Sequence, residues 1–162
     1  MAAIVPIARI DADAVEALLD HAFGADRFGR TAYRLRAGTS AMPELSFAAI
    51  EDGALIGSIQ CWPVRIDDAP AIMVGPVAVE PLLQRAGIGR TLMQAMLDVW
   101  EAGDWPGLMM IGDPEYYGRF FGFSANDTAG WIIDGPVDRH RLLARIRPGQ
   151  ALPEVGEVKP RA

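Results

Sequence analysis

Two glycines separated by one residue, with an arginine on each side, mark the part of the sequence best suited to bind an anion. They lie between an apolar stretch that ends at Val79 and a stretch of helical apolar periodicity that begins at Ile88, so a strand followed by a helix is predicted. A helix start has backbone N–H groups without partners and partial positive charge, which together stabilise an anion. The segment comprises Gln84, Arg85, Ala86, Gly87, Ile88, Gly89 and Arg90.

Pyrophosphate is the anion that this segment fits best. Glycines at 87 and 89 remove the side chains that would hold a bulky anion away from the backbone, and the two arginines add charge. A P-loop would need a lysine here, but the only lysine of the chain is Lys159. A dinucleotide fingerprint would need a third glycine where Leu92 stands. The alternative is a glycine-rich turn that binds nothing.

The composition excludes several other classes of protein. The formal net charge is -6, and an acidic chain is a poor partner for nucleic acid, which is bound by basic surfaces. One cysteine, Cys61, permits no internal disulfide, and His21 and His140 are too far apart for a zinc-binding pattern. No signal peptide and no apolar run of about 18 residues is visible. We therefore predict a cytoplasmic protein with no metal and no membrane partner.

The hydrophobic pattern predicts an α/β or α+β domain with a mixed sheet. A first strand is expected from Ile4 to Ile10, and two further strands over 45–50 and 54–65 are expected to form a hairpin. An apolar strand is expected over 71–79, with an interruption at Gly75-Pro76. Helices are expected to about Phe23 after a cap at Asp11 or Asp13, from Ile88 to Gly103, over 114–120 and over 137–145. Glycine at 103 is expected to close its helix in the left-handed conformation. After Pro148 the tail is expected to be loosely ordered.

Two segments resemble the GNAT acetyltransferases. Residues 74–92 resemble the core motif of that family, in which an apolar strand precedes Gln/Arg-x-x-Gly-x-Gly/Ala at a helix start. Residues 112–123 resemble a later motif, and they look especially like the predicted bacterial N-acetyltransferases with Gly-Asp-x-x-Tyr-Tyr-x-Arg-Phe-Gly-Phe. The resemblance covers the chain in order and spacing from residue 4 to about residue 125. It implies an acyl-CoA N-acyltransferase fold, with about six or seven strands flanked by helices, in one domain over 1–148 followed by a tail over 149–162.

The resemblance also implies that acetyl-CoA is the co-substrate and lies in a V-shaped cleft between the strands that end at Val79 and Ile111. Val77, Ala78 and Val79 would line the cofactor, and the first and last of these would offer backbone groups to the pantetheine arm and thioester. The segment 84–90 would bind the pyrophosphate, mostly through its backbone. An amine would attack the thioester directly, without a covalent enzyme intermediate.

Catalytic groups are implied less directly. The family often uses a tyrosine before Gly-Phe as the acid that protonates the departing thiolate, which makes Tyr116 and Tyr117 candidates, with Tyr117 preferred. An additional phenylalanine at Phe120-Phe121 lengthens the spacing by one residue. Glu80 is the first candidate for the general base, and weaker candidates are Glu44 and His21. Asp113 is expected to cap a helix rather than to catalyse, and Arg119 would meet either a CoA phosphate or a surface carboxylate.

The acceptor is expected to be a primary amine of a small molecule, bound near residues 35–42 and 123–133, where Trp62, Trp105 and Trp131 would either line a pocket or pack in the core. Two alternatives stay open. One is a CoA-binding sensor or interaction module without turnover, and the other is a protein N-acetyltransferase. Exposed apolar edges in the last strands would support a homodimer.

Overall fold

The computed structural model describes residues 2–84 and 86–162. Those residues form eight strands and four α-helices, and the strands pair mostly antiparallel in a mixed sheet, which confirms the predicted fold class. The helices are α1 (Ala12–Phe23), α2 (Thr31–Arg34), α3 (Ile88–Ala102) and α4 (Pro114–Phe121). The strands are β1 (Ala3–Pro6), β2 (Phe47–Glu51), β3 (Ala54–Ile66), β4 (Ala69–Val79), β5 (Leu108–Ile111), β6 (Gly130–Ile132), β7 (Leu142–Arg145) and β8 (Val155–Pro160).

The chain is divided into two compact units. The first unit contains Met1–Gly29, Ala41–Cys61 and Gly75–Trp105, and the second unit contains Arg30–Ser40, Trp62–Val74 and Pro106–Ala162. Strand β4 changes unit at Gly75, whose φ of +122° is accessible to glycine and costly for other residues. The sequence interruption at Gly75-Pro76 thus coincides with a unit boundary.

The first unit is a sheet in the order β1-β2-β3-β4 with a helix on each face. Helix α3 buries more residues than α1 does. The buried residues of α3 are spaced three and four apart, as predicted. A side chain at Gly57 of β3 would meet Ile88 and Leu92 of α3 within 3.0 Å, so the missing Cβ permits this close approach. The buried residues of α3 are Ile88, Leu92, Met93, Met96, Leu97 and Trp100.

Helix α1 covers the opposite face of that sheet. Its buried residues Val15, Leu18 and Leu19 form one cluster with Ala78 of β4. The side chain of Asp11 accepts a hydrogen bond from the N–H of Asp13, so Asp11 is the cap, one of the two predicted candidates. Successive strand residues point to opposite faces. In β4, therefore, Ala78 faces α1 while Val77 and Val79 face α3.

The second unit is built around β5, which is parallel to the start of β4 and antiparallel to β7. Strand β8 pairs with the end of β3 and, in parallel, with β6. Helix α4 follows β5 directly and begins as predicted, with Pro114 at its first turn and the side chain of Asp113 accepting from the N–H of Glu115. Trp131 is fully buried in this unit, and its indole N–H donates to the carbonyl of Pro153.

Four local predictions are wrong. The helix expected over 137–145 is a short 3-10 turn followed by β7, because Leu142–Arg145 pairs with β5 along its length. The stretch expected to be a loose tail contains β8, which the pairing with β3 orders. Gly103 follows α3 in an extended conformation with a φ of -114°, not in the left-handed one. The first strand ends at Pro6 and gives way to a 3-10 turn.

Candidate active site

The N-terminus of α3 in the first unit has no side-chain cap and no acidic residue in its first turn. The N-cap residue is Gly87, whose φ of +79° is the left-handed conformation that glycine adopts most readily. Its carbonyl accepts hydrogen bonds from the backbone N–H and the hydroxyl of Thr91, at 3.1 and 3.0 Å. Those contacts hold the first turn through the carbonyl of Gly87, and no acidic side chain within that turn compensates the helix dipole.

Gly89 lies where α3 begins to pack on β4. A side chain there would reach Val79 Cγ2 at 3.7 Å and Val77 Cγ1 at 3.9 Å, which are ordinary contact distances. Around Gly87 nothing would lie within 4 Å of an added Cβ. The two glycines therefore present an open backbone surface beside the last residues of β4.

The other members of the predicted pyrophosphate segment differ in what they can offer. The N–H of Ala86 donates to the carbonyl of Leu83 at 3.0 Å, so Ala86 is engaged in the preceding turn. Gln84 and Arg90 are exposed, and Ile88 is buried under the helix. Arg85 lies outside the described residues. The backbone positions that are open to a ligand thus lie at the start of α3 rather than along the whole segment.

Glu80, the residue after β4, forms a pair with His21 near the end of α1. The distance from His21 Nδ1 to Glu80 Oε1 is 3.3 Å, and the two side chains are 72% and 31% exposed. Glu80 and Ala78 point to the same face of the first unit, which α1 covers. Sequence reasoning named both residues separately as weak candidates for a base; the structure brings them together across 59 positions of the chain.

Tyr117 of α4 is the most perturbed acid-base candidate in the second unit. A Cβ on Gly112 would lie 2.8 Å from Cε2 of Tyr117, so the tyrosine ring packs directly on the glycine that follows β5. Burial raises the pKa of Tyr117 to about 12, and the nearby Tyr116 and Asp113 contribute smaller increases. Arg141 lowers this pKa, but by less than the other groups raise it. The hydroxyl therefore keeps its proton throughout the neutral range.

Arg141 is a member of this cluster that sequence reasoning missed. Its Nε donates to the carbonyl of Gly112 at 3.3 Å, and its own carbonyl accepts from the N–H of Gly112 at 2.9 Å. The residue lies in the stretch predicted to be helical, and only the pairing of β5 with β7 brings it to Gly112. No motif at residue 141 predicts its contact with Gly112. Only Gly112 itself belongs to a recognisable motif, as part of the Gly112-Asp113 dipeptide.

Tyr116 belongs to an aromatic group on the same helix. Its ring lies edge-on to Tyr117, with centroids 4.9 Å apart, and also contacts Phe120 and Phe121. Of the two phenylalanines, Phe121 is buried and Phe120 is 40% exposed. The additional residue in the motif is thus accommodated by turning Phe120 outward while the tyrosine at 117 stays against Gly112.

The remaining candidates have simpler surroundings. Cys61 is buried, and burial raises the pKa of its thiol well above the usual range, so it is an inert core residue. Over 2–84 and 86–162, no group of three or more His, Cys, Asp or Glu side chains is arranged to hold a metal ion. Within the same ranges no helix is long and apolar enough to span a bilayer.

Comparison with known proteins shows the family and the fold of the chain. Residues 12–108 match the family described as acetyltransferase (GNAT). The chain is 29% identical over 114 residues to YhbS of Escherichia coli K12, described as an uncharacterised N-acetyltransferase, and the match spans 68% of this chain and 67% of the relative.

Solved structures share the fold over the whole chain. The structure of YhbS from Escherichia coli in complex with CoA superposes with a TM-score of 0.76 at 24% identity, over 99% of this chain and 89% of the other. A GNAT family acetyltransferase from Brucella melitensis in complex with acetyl-CoA gives a TM-score of 0.70 at 27% identity, over 100% and 97%.

Proposed function

The chain belongs to the GNAT family of acetyltransferases, and we propose that it transfers an acetyl group from acetyl-CoA to a primary amine of a small molecule. The open N-terminus of α3 is the observation that carries this proposal. An anion placed there accepts from backbone N–H groups and compensates the helix dipole, and the first turn of the helix carries no carboxylate that would repel it. The pyrophosphate of CoA has the required charge and size. Two structural neighbours contain CoA or acetyl-CoA.

The cofactor-binding residues of the proposal all belong to the first unit. The backbone at Gly87, Ile88, Gly89 and Arg90 binds the pyrophosphate, with Arg85 and Gln84 adding polar contacts. Val77, Ala78 and Val79 bind the pantetheine arm through their backbone groups. Their side chains support this role, since Val77 and Val79 lie against Gly89 and Ala78 is anchored under α1. The N–H of Ala86 already donates to the carbonyl of Leu83, so Ala86 lines the cofactor without donating a hydrogen bond to it.

The proposed reaction is direct attack. The neutral amine forms a C–N bond to the acetyl carbonyl carbon while the C–S bond breaks, and the amine proton passes to Glu80, held by His21. The Tyr117 hydroxyl donates a hydrogen bond to the sulfur as its negative charge develops. A hydroxyl with a pKa of about 12 is a weak acid, so stabilisation of that charge is its main contribution. The released thiolate is then protonated by solvent, and Glu80 returns the amine proton to solvent, which restores both groups.

An amine screen with thiol detection tests the proposal. The purified chain is incubated with acetyl-CoA and glycine, lysine, spermidine or an aminoglycoside, and the acetylated product is identified by mass spectrometry. Triethylamine is the matched control, because a tertiary amine cannot give a stable amide. We expect thiol release and product with at least one primary amine and neither with triethylamine. Equal thiol release in all reactions would contradict amine transfer.

The two alternatives give different results in the same assay. A CoA-binding module without turnover would bind acetyl-CoA but would release no thiol with any of the acceptors. A protein N-acetyltransferase would be silent with the small amines and would acetylate peptides that carry a free N-terminus or a lysine. A peptide panel run beside the amine panel therefore separates all three functions.

Self-association is a further part of the proposal. In the second unit Ile132 of β6 and Val155 of β8 are 58% and 67% exposed, and the two strands pair with each other. Apolar side chains exposed together on neighbouring strands favour contact with another copy of the chain. Sedimentation velocity should show a dimer that Ile132→Lys weakens, and a wild-type monomer at all concentrations would contradict the proposal.

A further inference from the structure

Strand β3 carries two polar residues on the face of the first unit that α3 does not cover. Gly57 meets α3, and successive strand residues alternate between faces, so Ser58 and Gln60 point the other way. This is the face on which α1 packs over Ala78 and on which Glu80 meets His21. Ser58 is fully buried, and Gln60 is half-buried.

The polar atoms of these two residues have no protein partner. Ser58 Oγ and Gln60 Oε1 are both buried and make no hydrogen bond within the described ranges 2–84 and 86–162. Ser46, a buried serine of the same unit, shows the usual situation: its Oγ donates to the carbonyl of Met42 at 2.7 Å and accepts from the N–H of Cys61 at 3.1 Å. Ser58 and Gln60 thus differ from Ser46, whose hydroxyl has both a donor and an acceptor.

Buried polar atoms without partners destabilise a folded chain, so an alanine at 58 or a methionine at 60 would make the free protein more stable. The cost is offset when a ligand supplies the missing hydrogen bonds. Gln60 Oε1 accepts only, and a serine hydroxyl also accepts. A ligand group rich in N–H donors fits both atoms, whereas a carboxylate would not fit Gln60 Oε1.

We infer that Ser58 and Gln60 bind the amino group of the acceptor. The inference rests on the proposed function, because it names residues that select the acceptor of that reaction. Residues two apart on a strand are separated by about 6.6 Å, and the longer glutamine side chain lets both oxygens reach one nitrogen. Gln60 is half-buried, whereas Ser58 is fully buried. The carboxylate of Glu80 on the same face adds negative charge that favours a cationic amine.

Amide-correlation NMR of the nitrogen-labelled full chain tests the inference without any acetyl transfer. The chain is titrated with propylammonium chloride and, at equal ionic strength, with tetramethylammonium chloride, which is a cation without N–H donors. The side-chain carboxamide signal of Gln60 is identified by its loss in Gln60→Met. We expect propylammonium to shift this signal and tetramethylammonium to leave it in place. No shift, or equal shifts with both cations, would overturn the inference.

Stability and kinetics provide the second test. Gln60→Met and Ser58→Ala should unfold at a temperature equal to or above that of the wild type, whereas Ser46→Ala, which breaks satisfied hydrogen bonds, should unfold lower. Gln60→Met should raise KM for the best amine of the screen about ten-fold while the Kd of acetyl-CoA stays unchanged. Gln94→Met makes the same exchange on the exposed side of α3 and should change neither constant.

The two sets of failures are distinguishable. Loss of stability in Gln60→Met with an unchanged KM would show a purely structural glutamine and overturn the inference, even if acetyl-CoA binds as proposed. Absence of acetyl-CoA binding by the wild type would instead overturn the proposed function, and the NMR titration would still decide whether Gln60 meets an amine.

Discussion

The N-termini of α3 and α4 belong to different units and are built in opposite ways. Helix α3 begins at a glycine without a side-chain cap and without an acidic first turn, whereas α4 begins at Asp113, which caps it, followed by Pro114 and Glu115. A capped and acidic helix start repels an external anion, while an open one attracts it. The contrast indicates that the start of α3 is suited to receive an external anion and that the start of α4 is not.

The largest expected effect tests the chemical role of the second unit. Tyr117→Phe removes the hydroxyl and keeps the ring that packs on Gly112, so the fold should persist. We expect kcat to fall about 100-fold, as for the loss of one donor to a developing negative charge, while the Kd of acetyl-CoA changes less than about two-fold. Steady-state thiol release measures the rate.

Tyr116→Phe is the matched control and should keep most of the activity, since the ring of Tyr116 packs mainly against other aromatic rings. If the two variants lose activity in the reverse order, the acid is Tyr116 and the role assigned to Tyr117 is wrong.

A second change moves the same tyrosine without altering it. Gly112→Ala places a Cβ 2.8 Å from Cε2 and 2.9 Å from Cδ2 of the Tyr117 ring, so the ring must shift. We expect kcat to fall about ten-fold or more, because small displacements of a catalytic group are costly. The double variant with Tyr117→Phe should be no slower than Tyr117→Phe alone. Independent, additive losses would show that Gly112 acts in another way.

A third change closes the open helix start of the first unit. Gly87→Asn and Gly87→Asp differ only in charge, and both residues tolerate positive φ better than other side chains. We expect the Asp variant to bind acetyl-CoA about ten-fold more weakly than the Asn variant, because its carboxylate competes with the pyrophosphate. Calorimetry at low and high salt measures both, and the difference should shrink with salt. Equal affinities would place the pyrophosphate elsewhere.

The smallest effect concerns the capped helix. Asp113→Ala removes the hydrogen bond to the N–H of Glu115 and should lower the free energy of unfolding by about 1 kcal/mol. Binding of acetyl-CoA should not change, since the start of α4 is not an anion site in this account. Denaturant unfolding and calorimetry on one preparation give both values. A marked rise in acetyl-CoA affinity would instead show that α4 also receives an anion once its carboxylate is removed.

The sequence predicts those parts of the molecule that depend on local periodicity and capping. The apolar stripe of α3 and the cap at Asp113 are both seen in the structure, because each follows from residues within one or two helical turns. Strands β7 and β8 were missed, since short apolar segments favour a strand only when a distant partner is available, as β5 and β3 are here.

The same distinction applies to the candidate site. The prediction of an anion site at the start of α3 follows from the type and spacing of its glycines alone. The approach of His21 to Glu80 and of Arg141 to Gly112 depends on how remote segments pack. The buried, unpartnered oxygens at Ser58 and Gln60 likewise follow from the helices that cover the sheet, and alternation along β3 reveals only that the two share a face.

Isothermal titration of the wild type with acetyl-CoA, beside Gly89→Glu and Gly89→Ala, is the most direct test of the cofactor site. Alanine at 89 makes only ordinary contacts at 3.7 Å or more, whereas glutamate adds bulk and negative charge at the proposed pyrophosphate position. We expect micromolar binding by the wild type, nearly the same affinity with alanine, and a loss of at least about 100-fold with glutamate. No binding by the folded wild type, or undiminished binding by the glutamate variant, would contradict the assignment of the α3 N-terminus as the pyrophosphate site.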